Sequence, residues 1–351
     1  MPDSTITLVG FGISGQILLS YILSIVSPHR ITIIDPDFVG GDLAREYGAI
    51  QSNTTIETKV RSIESLVSTI GTITSWSNTI SSLKGKGSSD STVNLSNLAS
   101  DIRITGIEMA KKVKCIYDIV SAATWDPEEN RWGLTLGNGS THTTQVVCFC
   151  TGMLPRKEDY GVPIIPLSVA LDPARLGRMV LPGQRIVVIG SSHSATLACK
   201  YIHAIPDTSV YCIYRGSKPF KYARDSEYGG IKQESATIAD GILKGDYPRL
   251  RLCSSAQLSD VCKIMRSADW IVQATGFREN FPVVMAPVRE ILWDSKSGTA
   301  PGVPQAYAFG ACAPDTTELN GIEYSDISVA SFVDQIYLRW PLLKTCIQNL
   351  L

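Results

Sequence analysis

The amino-acid sequence predicts an α/β fold that contains two β–α–β units and a small antiparallel β-meander. Two segments each show an apolar strand, a turn of small residues, an apolar helix and a second β-branched strand. Equivalent positions in the two segments differ by 180, as Gly10 and Gly190 show. The 351 residues are 44% hydrophobic and 19% charged, which is typical of a packed globular chain of about two domains.

The first β–α–β unit occupies residues 1–35. Its apolar strand stops at a glycine-rich turn, and Pro28 ends the following helix because proline cannot donate a helical hydrogen bond. The predicted parts are a strand at 6–9, a turn at 10–15, a helix at 16–26 and a strand at 30–34 that ends at Asp35.

The β-meander follows a region that is rich in serine and threonine. Residues 52–100 have weak periodicity, so only short helices are predicted there. Beyond Cys115, three β-rich runs at 117–124, 131–136 and 145–150 are separated by turn sequences. They predict a three-stranded meander that closes at Thr151 and Gly152.

The second β–α–β unit begins at Arg185. Its predicted parts are a strand at 185–189, a turn at 190–195, a helix to about residue 205 and a strand at 210–214 that ends at Arg215. Two later strands, at 270–274 and 306–309, end near Gly276 and Gly310. Asp326 is predicted to cap a final helix at 327–340.

The small residues of both turns are those that a dinucleotide-binding turn requires. The first allows a sharp turn, the second lets the backbone approach a pyrophosphate, and the third permits close packing of helix on strand. In each unit the third small residue lies 20 positions before the residue that ends the second strand, where the ribose of a bound dinucleotide falls. These residues are Gly10, Gly12, Gly15 and Asp35 in the first unit, and Gly190, Ser192, Ala195 and Arg215 in the second.

The residues that end the two second strands carry opposite charges. Asp35 can accept hydrogen bonds from ribose hydroxyls and repels a 2′-phosphate, so the first unit suits FAD or NAD. Arg215, with Lys218 close behind it, suits the additional phosphate of NADP. A solvated cation at the end of a strand is the alternative interpretation of Arg215.

The order of these motifs resembles that of the flavoproteins with two dinucleotide-binding domains. This group contains pyridine-nucleotide reductases of the thioredoxin-reductase type and class B flavin monooxygenases. The resemblance covers nearly the whole chain and implies two Rossmann-like domains, the second inserted in the first. It implies an FAD-binding domain at 1–154 and 280–351 and an NADP-binding domain at 155–279.

The resemblance also implies which residues bind each cofactor. For FAD they are Gly10, Gly12, Gly15, Asp35, Gly40, Gly41, Thr151, Gly152, Gly310 and Ile327, the last near the N-terminus of the final helix. For NADP they are Gly190, Ser192, Ser194, Ala195, Arg215, Lys218 and Gly276. Two features depart from the group: residues 169–176 replace the Phe, Gly and His signature of the monooxygenases, and Ala311 stands where many reductases have an Asp.

The implied chemistry is hydride transfer from NADPH to the flavin, followed by passage of electrons to O2 and a small-molecule substrate, as in a monooxygenase. Asn53 matches an Asn that holds the nicotinamide beside the flavin in such enzymes, although an Asn in a loop is more often a turn or cap residue. A reductase without a redox dithiol is the alternative, because the nine cysteines contain no Cys-x-x-Cys. The second alternative is a non-catalytic sensor or interaction module that binds FAD and NADP.

Composition limits the remaining partners and the location. A net charge of −1 offers no general surface for nucleic acid or an anionic membrane. The apolar stretch at 13–26 is too short to cross a bilayer, and we expect a cytoplasmic protein whose cysteines are thiols. No metal-binding spacing of Cys and His is present, and a homodimer is common in the group.

Overall fold

The computed structural model of the protein describes residues 3–71, 74–223, 230–288, 290–319 and 322–351. The chain divides into two compact units. The first comprises Met1–Gly48, Thr54–Met153 and Glu279–Leu351, and the second comprises Ala49–Asn53 and Leu154–Arg278. The predicted α/β class, with a second parallel-sheet unit inserted in the first, is confirmed. The assignment of one cofactor-binding domain to each part of the chain stays a prediction.

The strands are numbered in chain order. They are β1 Ser4–Val9, β2 Ile31–Asp35, β3 Gln51–Thr55, β4 Thr92–Asn94, β5 Lys114–Tyr117, β6 Val120–Asp126, β7 Arg131–Leu136, β8 Thr141–Phe149, β9 Met153–Pro155, β10 Ile164–Ile165, β11 Arg185–Ile189, β12 Ser209–Tyr214, β13 Leu250–Ser254, β14 Trp270–Gln273, β15 Phe277–Glu279, β16 Val283–Met285, β17 Ala306–Ala308, β18 Asp315–Leu319 and β19 Ile322–Asp326.

The helices are numbered in the same way. They are α1 Ile13–Ile22, α2 Asp42–Arg45, α3 Ile56–Ile70, α4 Thr74–Lys84, α5 Leu95–Ala110, α6 Leu167–Ala170, α7 Pro173–Met179, α8 His193–His203, α9 Glu234–Lys244, α10 Leu258–Arg266 and α11 Val329–Gln348. Short 3-10 helices cover Pro28–Arg30 and Gly310–Cys312. Within the described ranges, no helix combines the length and apolar character needed to cross a lipid bilayer.

The first unit has three layers around one mixed sheet of eight strands. Its parallel part has the order β17-β8-β1-β2-β5, and the first half of β8 also pairs antiparallel with β7 of the predicted meander, beyond which lie β6 and β16. Side chains alternate along β1, so that Ile6 and Leu8 pack in the cluster that includes the helices while Val9 packs in the cluster of the meander. A sheet covered on both faces explains why its strands are apolar runs.

The second unit is built on a parallel sheet of five strands. The order is β10-β14-β11-β12-β13, and β11 pairs with β12 in register from Arg185↔Ser209 to Ile189↔Ile213. Both sheets place the carboxyl end of their first β–α–β strand in the interior of the strand order, where a parallel sheet binds its ligands.

Two helical predictions were incomplete. The serine- and threonine-rich region forms α3, α4 and α5, which are longer than the short helices predicted there, because each buries an apolar face that includes Leu66, Trp76 and Ile102. The final helix does not stop at Trp340. It continues through Pro341 to Gln348, since Leu343 and Ile347 are fully buried.

A buried histidine makes the first unit sensitive to acid. His142 Nε2 lies 3.1 Å from Ser4 Oγ and 3.0 Å from Thr7 Oγ1, and its Nδ1 lies 3.6 Å from the carboxylate of Asp3. Burial lowers the pKa of His142 below its ordinary value of 6.5; nearby Asp3 opposes this shift and Lys114 adds to it.

We therefore expect the free energy of unfolding to decrease as the pH falls below about 6.5. In this range His142 binds a proton in the unfolded chain and stays neutral in the native protein, so protonation favours the unfolded state. Burial also lowers the pKa of His193 and His203, so these residues act in the same direction. Urea unfolding at about pH 7.5 and about pH 5.5 measures the effect. H142Q should flatten the pH dependence, and an unchanged dependence would contradict the assignment to His142.

Candidate functional site

The first glycine-rich turn lies where β1 ends and α1 begins. Gly10 has a φ of 93°, and a Cβ atom there would lie 2.5 Å from the carbonyl oxygen of Cys150. A Cβ atom on Gly15 would collide with the carbonyl oxygen of Gly10. The fold itself therefore requires glycine at both positions, since neither collision involves an atom that can move aside.

Gly12 differs from its two neighbours in the motif. It is the N-cap of α1 with a φ of −69°, which any residue can adopt. A Cβ atom there would meet only the Cα of Gly41 at 3.7 Å and the carbonyl oxygen of Gly40 at 3.8 Å, which are ordinary contacts. The described structure gives no internal reason for glycine at this position, so the bare backbone fits the close approach of a ligand.

Gly40 and Gly41 pack directly beside Gly12. Both have positive φ values, of 103° and 72°, and a Cβ on Gly41 would lie 3.0 Å from the Cα of Gly12. Gly41 is also the N-cap of the short helix α2, and Gly12 is the N-cap of α1. The two segments thus bring glycine backbone together at the N-terminus of α1, whose free N–H groups favour an anion.

Asp35 ends β2 and is buried beside this turn. Its Oδ2 accepts a hydrogen bond from the N–H of Phe11 at 2.7 Å, and its Oδ1 accepts from the N–H groups of Phe38 at 2.7 Å and Asp37 at 3.1 Å. The carboxylate at the end of β2 therefore also orients the glycine-rich turn. A carboxylate has about four acceptor sites, so one remains for a ribose hydroxyl.

Thr151, Gly152 and Gly310 follow the carboxyl ends of the neighbouring strands β8 and β17. Gly152 has a φ of 73° and faces open space, while the carbonyl oxygens of Thr151 and Gly152 accept hydrogen bonds from Asn280. The Cα of Gly310 lies against Ser14, in the first turn of α1. The structure therefore brings the residues predicted after these two strands to the sheet edge where β1 ends.

The N-cap of the final helix is not the predicted residue. Ser328, not Asp326, is the N-cap of α11, and its side chain accepts a hydrogen bond from the N–H of Ser331 at 3.1 Å. Asp326 ends β19 and accepts from the N–H of Ser328 instead. Ile327 therefore lies just before the N-cap of α11. Its contact with FAD stays a prediction.

The second turn repeats the geometry of the first. Gly190 has a φ of 122°, and a Cβ there would collide with the carbonyl oxygen of Ala274. Ser192 is the N-cap of α8, is exposed and makes no side-chain capping bond, while Ala195 is fully buried against the sheet. Ser194 is the second residue of α8 and is not its cap. The turn again leaves backbone N–H groups at a helix N-terminus for an anion.

His193 is held by the second unit itself. Its Nδ1 lies 2.6 Å from the Oγ of Ser235 on α9, and burial lowers its pKa. The imidazole thus links α8 to α9. This contact gives His193 a structural role that does not need a phosphate.

Arg215 and Lys218 follow β12 as exposed cations. Among the residues that the structure describes, neither forms an ion pair, so both positive charges are available to an anionic ligand. Gly276 has a φ of 95° and faces open space after β14. The Oγ1 of Thr275, just before it, is buried with no hydrogen-bond partner within the described chain. An unpaired buried hydroxyl beside the second turn fits a site completed by a ligand.

Asn53 lies in β3, and it belongs to the second unit. This position does not show whether Asn53 holds a nicotinamide, so that role stays a prediction. Eight of the nine cysteines are partly or fully buried thiols, and burial raises the pKa of those at 148, 150 and 312. Within the described ranges, no group of three His, Cys, Asp or Glu residues could hold a metal ion.

Sequence reasoning missed two buried polar residues of α11. Gln335 accepts a hydrogen bond from the N–H of Gly310 at 2.5 Å. Arg339 donates to the carbonyl oxygens of Ala308 at 2.7 Å and Ala313 at 3.0 Å. The spacing of α11 marks both as polar positions on an amphipathic helix, and no local pattern shows that their partners are distant backbone groups.

Both turns therefore fit a dinucleotide. The first offers the bare backbone of Gly12, a helix N-terminus and a carboxylate with a free acceptor site, which suits a carrier without a 2′-phosphate such as FAD. The second offers a helix N-terminus, the exposed hydroxyl of Ser192 and two unpaired cations, which suits a carrier with that phosphate.

Comparison with known proteins gives the fold of this chain. No protein-family model matches the sequence. In an alignment of 210 positions that covers 54% of this chain, it is 28% identical to the monooxygenase AgnR1 of Paecilomyces divaricatus. The matched region spans about half of that relative, 52% of its length.

Two solved structures resemble the chain over nearly its whole length. The flavin-containing monooxygenase of Stenotrophomonas maltophilia gives a TM-score of 0.64 at 14% identity, covering 99% of this chain and 100% of that one. The bacillithiol disulfide reductase of Staphylococcus aureus gives 0.62 at 11% identity, covering 98% and 99%. The chain thus has the fold of the two-dinucleotide-binding-domain flavoproteins, which confirms the resemblance found in the sequence.

Proposed function

We propose that the protein is an FAD-dependent oxidoreductase that oxidises NADPH, with O2 and a small-molecule substrate as the final acceptors. The observation that carries this proposal is the pair of dinucleotide turns, each at the carboxyl end of the first strand of a parallel β–α–β unit. Asp35 ends the second strand of one unit, and Arg215 follows the second strand of the other. The names of the monooxygenase relative and of the similar monooxygenase structure support this reaction class.

In the first unit, the chain binds and orients the flavin carrier. The backbone of Gly12 and the N-terminus of α1 hold the pyrophosphate, and Asp35 accepts a hydrogen bond from the ribose. Gly41 keeps the segment beside Gly12 free of side chains. The chemistry that bound FAD would supply there is acceptance of a hydride and transfer of electrons to an acceptor.

In the second unit, the chain binds and selects the hydride donor. The N-terminus of α8 and the hydroxyl of Ser192 hold the pyrophosphate, and Arg215 and Lys218 bind the 2′-phosphate that distinguishes NADPH from NADH. Asn53, whose amide can donate and accept at once, holds the nicotinamide amide.

Anaerobic reduction tests this function. The purified protein is titrated with NADPH without oxygen while the visible absorbance of the flavin is followed. Loss of that absorbance with one equivalent of NADPH is the expected result. A flavin that neither NADPH nor NADH reduces would contradict an oxidoreductase and favour the non-catalytic binding module.

Reoxidation separates the monooxygenase from the alternative reductase. The NADPH-reduced protein is mixed with oxygen in the absence of substrate. A delayed return of the oxidised absorbance is expected of a monooxygenase, which must wait for its substrate. An immediate return would favour a reductase without a redox dithiol.

Substitution of Arg215 tests the selection of the donor. R215A is expected to raise the KM for NADPH by about tenfold, because a charge-assisted contact to phosphate contributes about 1.5–3 kcal/mol. The KM for NADH should change less than about twofold, since NADH carries no 2′-phosphate. R251A, which removes an exposed arginine from the neighbouring strand β13, is the control. Equal changes for both donors would remove the phosphate assignment.

A further inference from the structure

We propose that Gln335 is a positioning residue for the FAD site, acting through the backbone of Gly310. The inference rests on the proposed function and adds a residue that contacts neither of the two dinucleotide turns. Gln335 lies in the second turn of α11 and is 1% exposed. A side-chain amide that is buried so completely can keep its hydrogen bonds only with the protein groups around it.

One amide holds both ends of the loop that follows β17. The Oε1 of Gln335 accepts from the N–H of Gly310 at 2.5 Å. Its Nε2 donates to the carbonyl oxygen of Ala313 at 2.9 Å and to the Oδ1 of Asp315 at 3.3 Å. Because the amide spans the short helix Gly310–Cys312 from its first residue to the residue after it, the side chain sets the position of that whole segment.

The segment lies against the first dinucleotide turn. Ala308 pairs with Phe149 in the parallel sheet, so Gly310 follows the carboxyl edge at which β1 also ends. With a φ of 73°, Gly310 places its Cα so close to Ser14 that a Cβ would lie 2.5 Å from the Cβ of Ser14. By fixing the position of Gly310, Gln335 therefore sets the space that is available to a ligand beside the first turn of α1.

A role in packing alone makes a different prediction. Ile336, the next residue of α11, is fully buried in the core cluster but has no polar contact with the loop. Truncation of Ile336 should destabilise the same helix by opening a cavity. Loss of the Gln335 amide should instead release the loop, so that FAD leaves the site faster than the loss of stability explains.

The experiment compares the release of FAD from purified holoproteins. Flavin fluorescence after dilution gives the rate of release, and circular dichroism gives the Tm of each protein. Q335M keeps the length of the side chain and removes both hydrogen-bonding ends, and about tenfold faster release is expected. I336A should lose at least as much Tm and release FAD within about twofold of the wild-type rate.

A second variant divides the amide into its two functions. Q335E retains an acceptor toward Gly310, but its second carboxylate oxygen would lie against the carbonyl oxygen of Ala313 and the carboxylate of Asp315 and repel that end of the loop, so it should release FAD faster than the wild type. It also reports if Q335M does not fold. Equal rates for Q335E and the wild type, or equal effects of Q335M and I336A, would overturn the inference. A wild-type protein that holds no FAD would overturn the proposed function itself, which the other outcomes leave standing.

Discussion

G12V is expected to abolish FAD binding and to leave the fold intact. The position has room for a Cβ atom within the protein, since the backbone of Gly40 and Gly41 would lie at ordinary contact distance from it and φ is −69°. A valine would occupy the space where the backbone meets a pyrophosphate, so we expect the affinity for FAD to fall by at least about 100-fold. Valine is a poorer N-cap than glycine, which costs about 1 kcal/mol or less of stability.

The measurement is the FAD content of the purified variant together with its Tm. G10A is the contrasting variant, because its Cβ would lie 2.5 Å from the carbonyl oxygen of Cys150 and φ is 93°. It should lower the Tm strongly, while G12V should not. A G12V protein that retains FAD would show that the first turn does not hold the pyrophosphate.

R339M is expected to destabilise the first unit by about 3–5 kcal/mol, the cost of removing one member of a buried charged network. Arg339 is 1% exposed and donates to the carbonyl oxygens of Ala308, Ala313, Lys296 and Ser295 and to the carboxylate of Asp315. Gly298 makes room for it, because a Cβ there would lie 2.9 Å from the Cδ of Arg339. Methionine fills part of the volume but donates to none of these acceptors, and within the described chain only Ala313 and Asp315 of the five keep the side-chain donor Gln335.

Urea unfolding of R339M and of a surface control measures the difference. R61M removes an arginine whose side chain is 75% exposed and which pairs with Glu57 on the same helix, so it should cost about 0.5 kcal/mol or less. R339K retains the charge, but an ammonium group has three donors and lacks the planar fork. It should therefore resemble R339M. A lysine variant as stable as the wild type would show that charge, and not the set of hydrogen bonds, is what α11 requires.

Features of the fold that depend on local sequence could be predicted. Gly10 and Gly190 mark the turns because a positive φ and a collision with the adjacent strand exclude any other residue. Asp35 ends β2 and Arg215 follows β12, and the β-branched sequence of both strands is visible without the structure. The meander followed from alternating residues and turn sequences, such as those that place Trp132 and Leu134 on one face of β7.

Features that depend on distant partners could not be predicted. Gln335 and Arg339 look like solvent-facing residues of an amphipathic helix until the carbonyl groups 22 to 44 positions away are placed beside them. The sequence predicted that α11 ends at Trp340, but burial of Leu343 and Ile347 on the next turns outweighs the one hydrogen bond that Pro341 removes. Trp76 in α4 also has a distant partner. Its Nε1 donates to the Oγ of Ser20 at 2.9 Å, and this contact helps a helix with a weak sequence pattern pack against the core.

We propose that the glycine-rich turn of the first unit, together with Asp35 at the end of β2, holds FAD. Heating the purified wild-type protein releases any bound cofactor, which chromatography against FAD, FMN, NAD and NADP standards then identifies. One FAD per chain from the wild type, and none from G12V, is the expected result. Release of a pyridine nucleotide alone, or of FAD in equal amount from both proteins, would contradict the assignment of this turn.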